Sequence, residues 1–121
     1  MWVIIANKVT LRIMGKTINI SNNMNDMKKL TEDEILSKLE SLEGWNYNDN
    51  AIHTSFEFEN FKEAFTLMTR IAFEAEAQQH HPDWSNVYNQ LEITLSTHDA
   101  DGVTEKDFKM AKAIEGIVNA E

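Results

Sequence analysis

The hydrophobic pattern of this chain changes period four times, and this alternation constrains its fold more than any other feature. Apolar residues recur at helical spacing after Thr31, Asn60 and Thr104, whereas residues 45–58 and 84–96 alternate as strands do. The predicted order is helix, hairpin, helix, hairpin, helix. Helices laid against one antiparallel sheet would bury the apolar face of every element, and 121 residues fit a single domain. The sequence therefore predicts an α+β fold.

Capping residues mark the start of each predicted helix. Thr31 with Glu34, and Thr104 with Asp107, have the spacing of a capping box, in which the two side chains bind each other's backbone N–H groups. Asn60 is a favourable N-cap for the middle helix. We therefore expect helices to begin directly after these three caps.

Each predicted helix carries an apolar stripe that we expect to face the core. The first stripe ends before Gly44, which supplies a stop, and consists of Ile35, Leu36, Leu39 and Leu42. The second consists of Phe61, Ala64, Phe65, Met68, Ala72 and Ala75. The third consists of Phe108, Ala111 and Val118.

Asparagine-rich segments supply the turns of the two predicted hairpins. Residues 48–50 join the strands of the first hairpin, and Asn89-Gln90 joins those of the second, because asparagine tolerates left-handed turn geometry. In the second hairpin Leu91, Ile93 and Leu95 share one face, which we expect to be the buried one.

Residues 1–23 lie outside this scheme and are predicted to form an N-terminal extension to a domain of residues 24–121. Apolar residues alternate on both sides of Gly15-Lys16, so the extension is either an additional hairpin or a dispensable segment. Met24 also makes an alternative translation start conceivable.

Composition narrows the classes of function. The chain has no cysteine, which excludes disulfides and thiolate chemistry and favours a reducing, cytoplasmic location. Its formal charge of −9 repels phosphate backbones and anionic lipids, so we expect neither nucleic-acid nor membrane binding. The apolar run of residues 2–6 is too short to span a bilayer.

Three of the four histidines fall within residues 80–98, at two places where regular structure is predicted to end. Pro82 keeps the residue before it out of the α region, so the second helix should end near Gln79 or His80. The negative end of the helix dipole favours the imidazolium form of His80, as a general acid requires. Glu76 lies one turn earlier and is suited to orient that ring.

Other interpretations of these residues remain open. His80 and His81 could simply cap a helix and face water, or join His98 in a three-histidine zinc site, although adjacent residues seldom converge on one ion. A Ser96 nucleophile is disfavoured because no Gly-x-Ser-x-Gly motif is present. His53 is expected at the surface. Trp84 could pack in the core or stack on a flat heterocycle.

Two segments around the histidines resemble the signature of a known family. Residues 76–88 read EAQQHHPDWSNVY and residues 93–98 read ITLSTH. They closely resemble the pterin-4a-carbinolamine dehydratases, and residues 99–107, with Gly102, Thr104 and Asp107, continue the likeness. The similarity extends from about Leu30 to Val118, whereas the N-terminal extension has no counterpart. A match of this length and order is highly specific.

The resemblance implies a four-stranded antiparallel sheet with helices on one side, and a pterin substrate. Family members dehydrate 4a-hydroxytetrahydropterin to quinonoid dihydropterin, returning the cofactor of aromatic amino-acid hydroxylases to its recycling route, without a metal or a further cofactor. By carry-over, His80 and His98 are the acid–base pair, and His81 chiefly holds the pterin. Further substrate-binding or supporting positions are Glu76, Pro82, Trp84, Ser96, Thr97 and Asp107.

The resemblance also implies association with other chains. It suggests a homodimer or homotetramer formed through helices or sheet edges. Animal relatives additionally serve as dimerisation cofactors of a homeodomain transcription factor, so a non-enzymatic interaction module is the alternative function. That role would depend on helix surfaces and not on the histidines.

Overall fold

The computed structural model describes residues 2–5, 8–13, 16–19 and 27–120. Three helices lie in the described part of the chain: α1 (Glu32–Leu39), α2 (Phe61–Gln78) and α3 (Glu105–Asn119). Seven strands lie there as well: β1 (Trp2–Ile5), β2 (Lys8–Ile13), β3 (Lys16–Asn19), β4 (Asn46–Asn48), β5 (Ala51–Glu57), β6 (Asp83–Val87) and β7 (Gln90–Leu95). A short 3-10 helix, His98–Ala100, follows β7.

The central sheet has four antiparallel strands in the order β4-β5-β7-β6. Ile52 pairs with Leu95, and Phe56 with Leu91, so the apolar residues of β5 and β7 share one face. That face is covered: Ile52, Leu91 and Leu95 are fully buried. The opposite face carries exposed polar residues. The predicted α+β architecture, with helices on one side of an antiparallel sheet, is confirmed.

The first helix begins where its capping box predicts but ends early. The backbone N–H and the hydroxyl of Thr31 both bind the Glu34 carboxylate, and these two hydrogen bonds lower the pKa of Glu34. The α-helix ends at Leu39, and tighter turns then bring Leu42 into the core. The prediction for Leu36 was wrong, because its side chain is 49% exposed.

The second helix buries a different stripe from the predicted one. Ala64 and Ala75 are buried as expected, but their buried companions are Leu67 and Ile71. Three predicted members, Phe61, Phe65 and Ala72, are exposed. This helix is apolar around more of its circumference than the sheet covers, so spacing alone could not identify the inner side. Across the described residues, the helices are too short or too polar to cross a membrane.

The third helix begins after the predicted Thr104–Asp107 capping box. Phe108 and Ala111 are buried as expected, whereas Val118 is half-buried near the end of the helix.

Both predicted hairpins are present, and one turn is shifted by a residue. Asp49 and Asn50 adopt positive φ angles of 50° and 60°, as the first turn requires. In the second hairpin the turn occupies residues 88–89, and Tyr88 adopts the positive φ of 52°. Asn89 is instead bound to Phe58 through its backbone carbonyl and its side-chain amide, both at 2.8 Å. These two hydrogen bonds to Phe58, directly after β5, fix the position of the turn.

The N-terminal strands form a separate three-stranded antiparallel sheet in the order β1-β2-β3. Strands β2 and β3 pair in the way that the hairpin alternative requires, with Ile13 opposite Lys16. Strand β1 was not predicted. Gly15 and Met24 lie outside the described residues.

Candidate active site

The end of α2 separates the paired histidines. Gln79 adopts the left-handed conformation with φ 52°, and the His80 N–H donates to the Ala75 carbonyl at 3.1 Å. This is a common way to end a helix, and it confirms the predicted end near Gln79. His80 is buried, whereas the His81 side chain is 58% exposed. The two neighbouring rings therefore occupy different environments.

His80 is held by a carboxylate from α3. Its Nε2 lies 2.5 Å from Oδ1 of Asp107, whose side chain is completely buried. Charge-assisted hydrogen bonds of this kind are short and strong. Asp107 thus joins the end of α2 to the start of α3.

The other oxygen of Asp107 binds two threonines. Thr97 Oγ1 and the Thr104 backbone N–H both donate to Oδ2 at 2.9 Å. The two threonine hydroxyls are themselves 2.7 Å apart, and Thr104 Oγ1 accepts from the Lys106 N–H at 3.2 Å. His80, Thr97, Thr104 and Asp107 therefore form one buried polar network, which we call the Asp107 network.

One nitrogen of His80 reaches the protein surface. Every buried side-chain nitrogen and oxygen among the described residues has a hydrogen-bond partner. Nδ1 of His80 has none in that part of the chain, so it must be accessible to solvent. The ring is thus fixed through Nε2 and open through Nδ1, the arrangement that a proton carrier needs.

His98 lies next to this network. It follows Thr97 directly and begins the 3-10 helix, and the backbone pair Thr97–Gly102 closes the loop. The Thr97 N–H donates to the Gly102 carbonyl at 2.8 Å. His98 is exposed, and within residues 27–120 no side-chain hydrogen bond restrains its ring. The structure therefore brings His98 to the same end of the sheet as His80.

Glu76 contacts His81, whereas its spacing in the sequence suggested a contact with His80. Its Oε1 lies 3.1 Å from His81 Nε2, and both side chains are largely exposed. The expected contact with His80 is absent because the left-handed residue Gln79 interrupts helical spacing after Gln78. The carboxylate that orients His80 is Asp107, 27 residues further along the chain.

The remaining four positions named from the sequence lie in different surroundings. Trp84 is half-buried and packs against the core, and Pro82 is half-buried beside it in the chain. Ser96 donates its hydroxyl hydrogen to the Asn50 carbonyl at 3.2 Å, so it is engaged by the first hairpin turn. Thr97 is buried and contacts Asp107, not the surface.

His53 belongs to a different region. Its ring nitrogens bind Thr94 Oγ1 and the Asn48 carbonyl, both at 2.9 Å. It lines an open groove of about 350 Å³ on the polar face of the sheet, together with residues that include Asn46 and Glu92. None of the other three histidines lines that groove.

Thr104 was not predicted to be part of the site. Its capping role was predicted, but the hydrogen bond between its hydroxyl and Thr97 depends on the fold. Among the described residues, no group of three or more His, Asp or Glu side chains is arranged to hold a metal ion.

Comparison with known proteins identifies the family. The sequence model described as pterin 4 alpha carbinolamine dehydratase matches residues 28–117. A protein from Christiangramia forsetii, provisionally named pterin-4-alpha-carbinolamine dehydratase, is 72% identical over 94 residues, covering 78% of this chain and 97% of the relative. A Rhizobium johnstonii protein with the same provisional name is 48% identical over 91 residues, covering 74% of this chain and 90% of the relative.

A solved structure agrees with the sequence comparisons. The crystal structure of a transcriptional coactivator/pterin dehydratase from Brucella melitensis superposes with a TM-score of 0.72 at 44% identity, covering 74% of this chain and 98% of that one. Sequence and fold therefore agree, and this chain belongs to the pterin 4 alpha carbinolamine dehydratase family, a family of hydro-lyases.

Proposed function

We propose that this protein dehydrates 4a-hydroxytetrahydropterin to quinonoid dihydropterin and water, as a step in the recycling of tetrahydrobiopterin. One observation carries the mechanism: His80 is clamped through Nε2 by buried Asp107, while its Nδ1 is open to solvent. An imidazole fixed in this way can exchange a proton with a bound molecule without losing its orientation.

The reaction consists of two proton transfers around one bond cleavage. An acid protonates the hydroxyl at the carbinolamine carbon, and the C–O bond breaks to release water. A base removes the proton from the adjacent ring nitrogen, whose electrons form the new C=N bond. The two transfers balance, so neither a redox partner nor a further cofactor is needed.

Three histidines divide this work. His80 and His98 form the acid–base pair, because the first is rigid and the second is exposed and unrestrained at the same end of the sheet. His81, paired with Glu76 on the surface, holds the pterin. Trp84 and Pro82 are proposed to contact its ring. Asp107 holds His80 in position, and Thr97 in turn holds Asp107.

A coupled assay tests this function. A phenylalanine hydroxylase reaction supplies the carbinolamine, and loss of its absorbance is followed with and without the purified protein. Catalysis should accelerate the loss in proportion to protein concentration. His80→Ala and His98→Ala should each lower turnover, whereas His53→Ala removes a histidine outside the site and should not. Absence of acceleration by the unaltered protein would refute the proposal.

A specific observation supports association as a second function. Phe61, Phe65 and Phe73 of α2 are 49%, 56% and 75% exposed, and we call them the α2 phenylalanine surface. Large exposed apolar side chains on one helix are typical of association surfaces. We propose that this surface joins copies of the chain into a dimer or tetramer.

Light scattering with size-exclusion chromatography measures the assembled mass. Phe65→Glu should reduce that mass, whereas Leu36→Glu, at a similarly exposed apolar position of α1, should leave it unchanged. A monomeric unaltered protein would reject self-association. The surface would then be left for a different protein partner, as in the non-enzymatic alternative.

A further inference from the structure

We propose that the hydroxyl pair of Thr97 and Thr104 is a positioning device that fixes which ring nitrogen of His80 carries its proton. The pair does so through Asp107, and neither threonine needs to touch the substrate. The kinetic consequence rests on the proposed function, whereas the proton's position does not. The inference follows from the directions of the hydrogen bonds in the Asp107 network.

Each hydroxyl has a single hydrogen, so the directions can be worked out in order. Thr97 Oγ1 lies 2.9 Å from Asp107 Oδ2, and a carboxylate oxygen only accepts, so Thr97 donates there. The hydrogen between the two hydroxyls must therefore come from Thr104, which donates to Thr97 at 2.7 Å. The fixed Lys106 N–H donates to Thr104 Oγ1 and completes the chain.

The same chain of hydrogen bonds determines the role of Oδ2 of Asp107. Oδ2 of Asp107 receives two donors, the Thr97 hydroxyl and the Thr104 N–H, so it cannot carry a proton toward either of them. Oδ1 remains as the acceptor that faces His80 Nε2. A carboxylic acid is ordinarily a stronger acid than an imidazolium ion, so the hydrogen between Oδ1 and Nε2 belongs to the ring. Neutral His80 therefore carries its hydrogen on Nε2, which leaves the lone pair on Nδ1.

Nδ1 is therefore the atom through which His80 exchanges protons with a substrate. A ring free to change tautomer would present a hydrogen there for part of the time and could not accept one. Removing the Thr97 hydroxyl deletes one of the two donors on Oδ2 and leaves the Thr104 hydroxyl hydrogen without its acceptor. The carboxylate is then free to rotate, and its hold on Nε2 weakens.

Nuclear magnetic resonance of the ¹⁵N-labelled full chain reads the tautomer directly. In spectra of the neutral ring, His80 of the unaltered protein should be protonated on Nε2 and unprotonated on Nδ1, with a downfield Nε2–H proton in slow exchange with water. In Thr97→Val that proton should exchange faster and the two ¹⁵N shifts should move toward each other. Thr97→Ser retains the hydroxyl and should restore the original spectrum.

Thr54→Val is the matched control. Thr54 is also a buried threonine, but its hydroxyl donates to the Gly44 carbonyl, away from the network. It should lose a comparable amount of stability while leaving the His80 signals unchanged. Identical His80 spectra in Thr97→Val and Thr54→Val would overturn the proposal. If Thr97→Val does not fold, the unaltered protein still decides, because a neutral His80 ring with its hydrogen on Nδ1 contradicts the assignment.

Kinetics provide the second measurement. Thr97→Val should lower kcat roughly tenfold with little change in KM, because one charge-assisted hydrogen bond is worth about that factor and the hydroxyl is buried away from the substrate. An increase in KM alone would instead indicate substrate contact and overturn the positioning role. Should the unaltered protein lack dehydratase activity, the spectra would still test the tautomer, so the two proposals fail separately.

Discussion

Replacing Asp107 by asparagine inverts the polarity of one contact while preserving shape. Asp107 accepts from Thr97 and Thr104 on one oxygen and from His80 on the other. The single amide oxygen of asparagine must remain with the two donors, since an amide NH₂ placed there would face both of them. The NH₂ group then points at His80 Nε2, which has to become the acceptor. The His80 hydrogen consequently moves to Nδ1.

The expected loss of activity follows from the move of the His80 hydrogen to Nδ1. With Nδ1 protonated, neutral His80 cannot accept a proton from the substrate, so we expect kcat to fall by about 10²- to 10⁴-fold, as when a triad aspartate is similarly replaced in serine proteases. That corresponds to roughly 3–5 kcal/mol of activation free energy. Weakening a charge-assisted contact should also lower the free energy of unfolding by about 1–3 kcal/mol.

The coupled dehydration assay measures the rate, and thermal unfolding measures stability. Asp33→Asn is the control, because it makes the same chemical change in the first turn of α1, where Asp33 is exposed. It should leave both quantities nearly unchanged. A folded Asp107→Asn protein whose kcat stays within about threefold of the original value would refute the reasoning. Such a loss is far smaller than the expected one, even when the uncertainty in the strength of one hydrogen bond is allowed for.

Three other outcomes are expected. Because hydrogen bonds from the Thr31 backbone and hydroxyl lower the pKa of Glu34 in the folded state, its contribution to stability is present above the usual value of 4.5 and is lost as pH falls through the lowered pKa. Unfolding midpoints of Glu34→Gln and the original protein should therefore converge on acidification, and a constant difference from pH 7 to pH ~2 would contradict this. His81→Ala should raise KM more than it lowers kcat, because His81 is exposed and its one partner in the described part of the chain is surface Glu76; a loss confined to kcat would assign it to proton transfer instead. Since both proton transfers are assigned to imidazoles, EDTA should leave the rate unchanged, and inactivation restored by zinc would revive a metal mechanism.

Local signals in the sequence identified much of the fold. The capping boxes at Thr31 and Thr104 were correct because they involve residues three apart, whose geometry a single helical turn fixes. The end of α2 was correct because Pro82 acts on its immediate neighbour. By contrast, the buried side of α2 was predicted wrongly: Leu67 and Ile71 face the core while Phe65 does not. Which side of an apolar helix is covered depends on the sheet beside it.

The same distinction between local signals and tertiary packing applies to the site. The residues proposed for proton transfer were predicted from the chain, since the segments around His80 and His98 carry a specific family likeness. Their partners were not. Spacing suggested Glu76 for His80, but the left-handed residue after the helix turned that ring toward Asp107. Sequence determines local geometry and residue chemistry because both act over one or two turns, whereas the tertiary packing of α3 against the end of α2 decided which carboxylate holds the histidine.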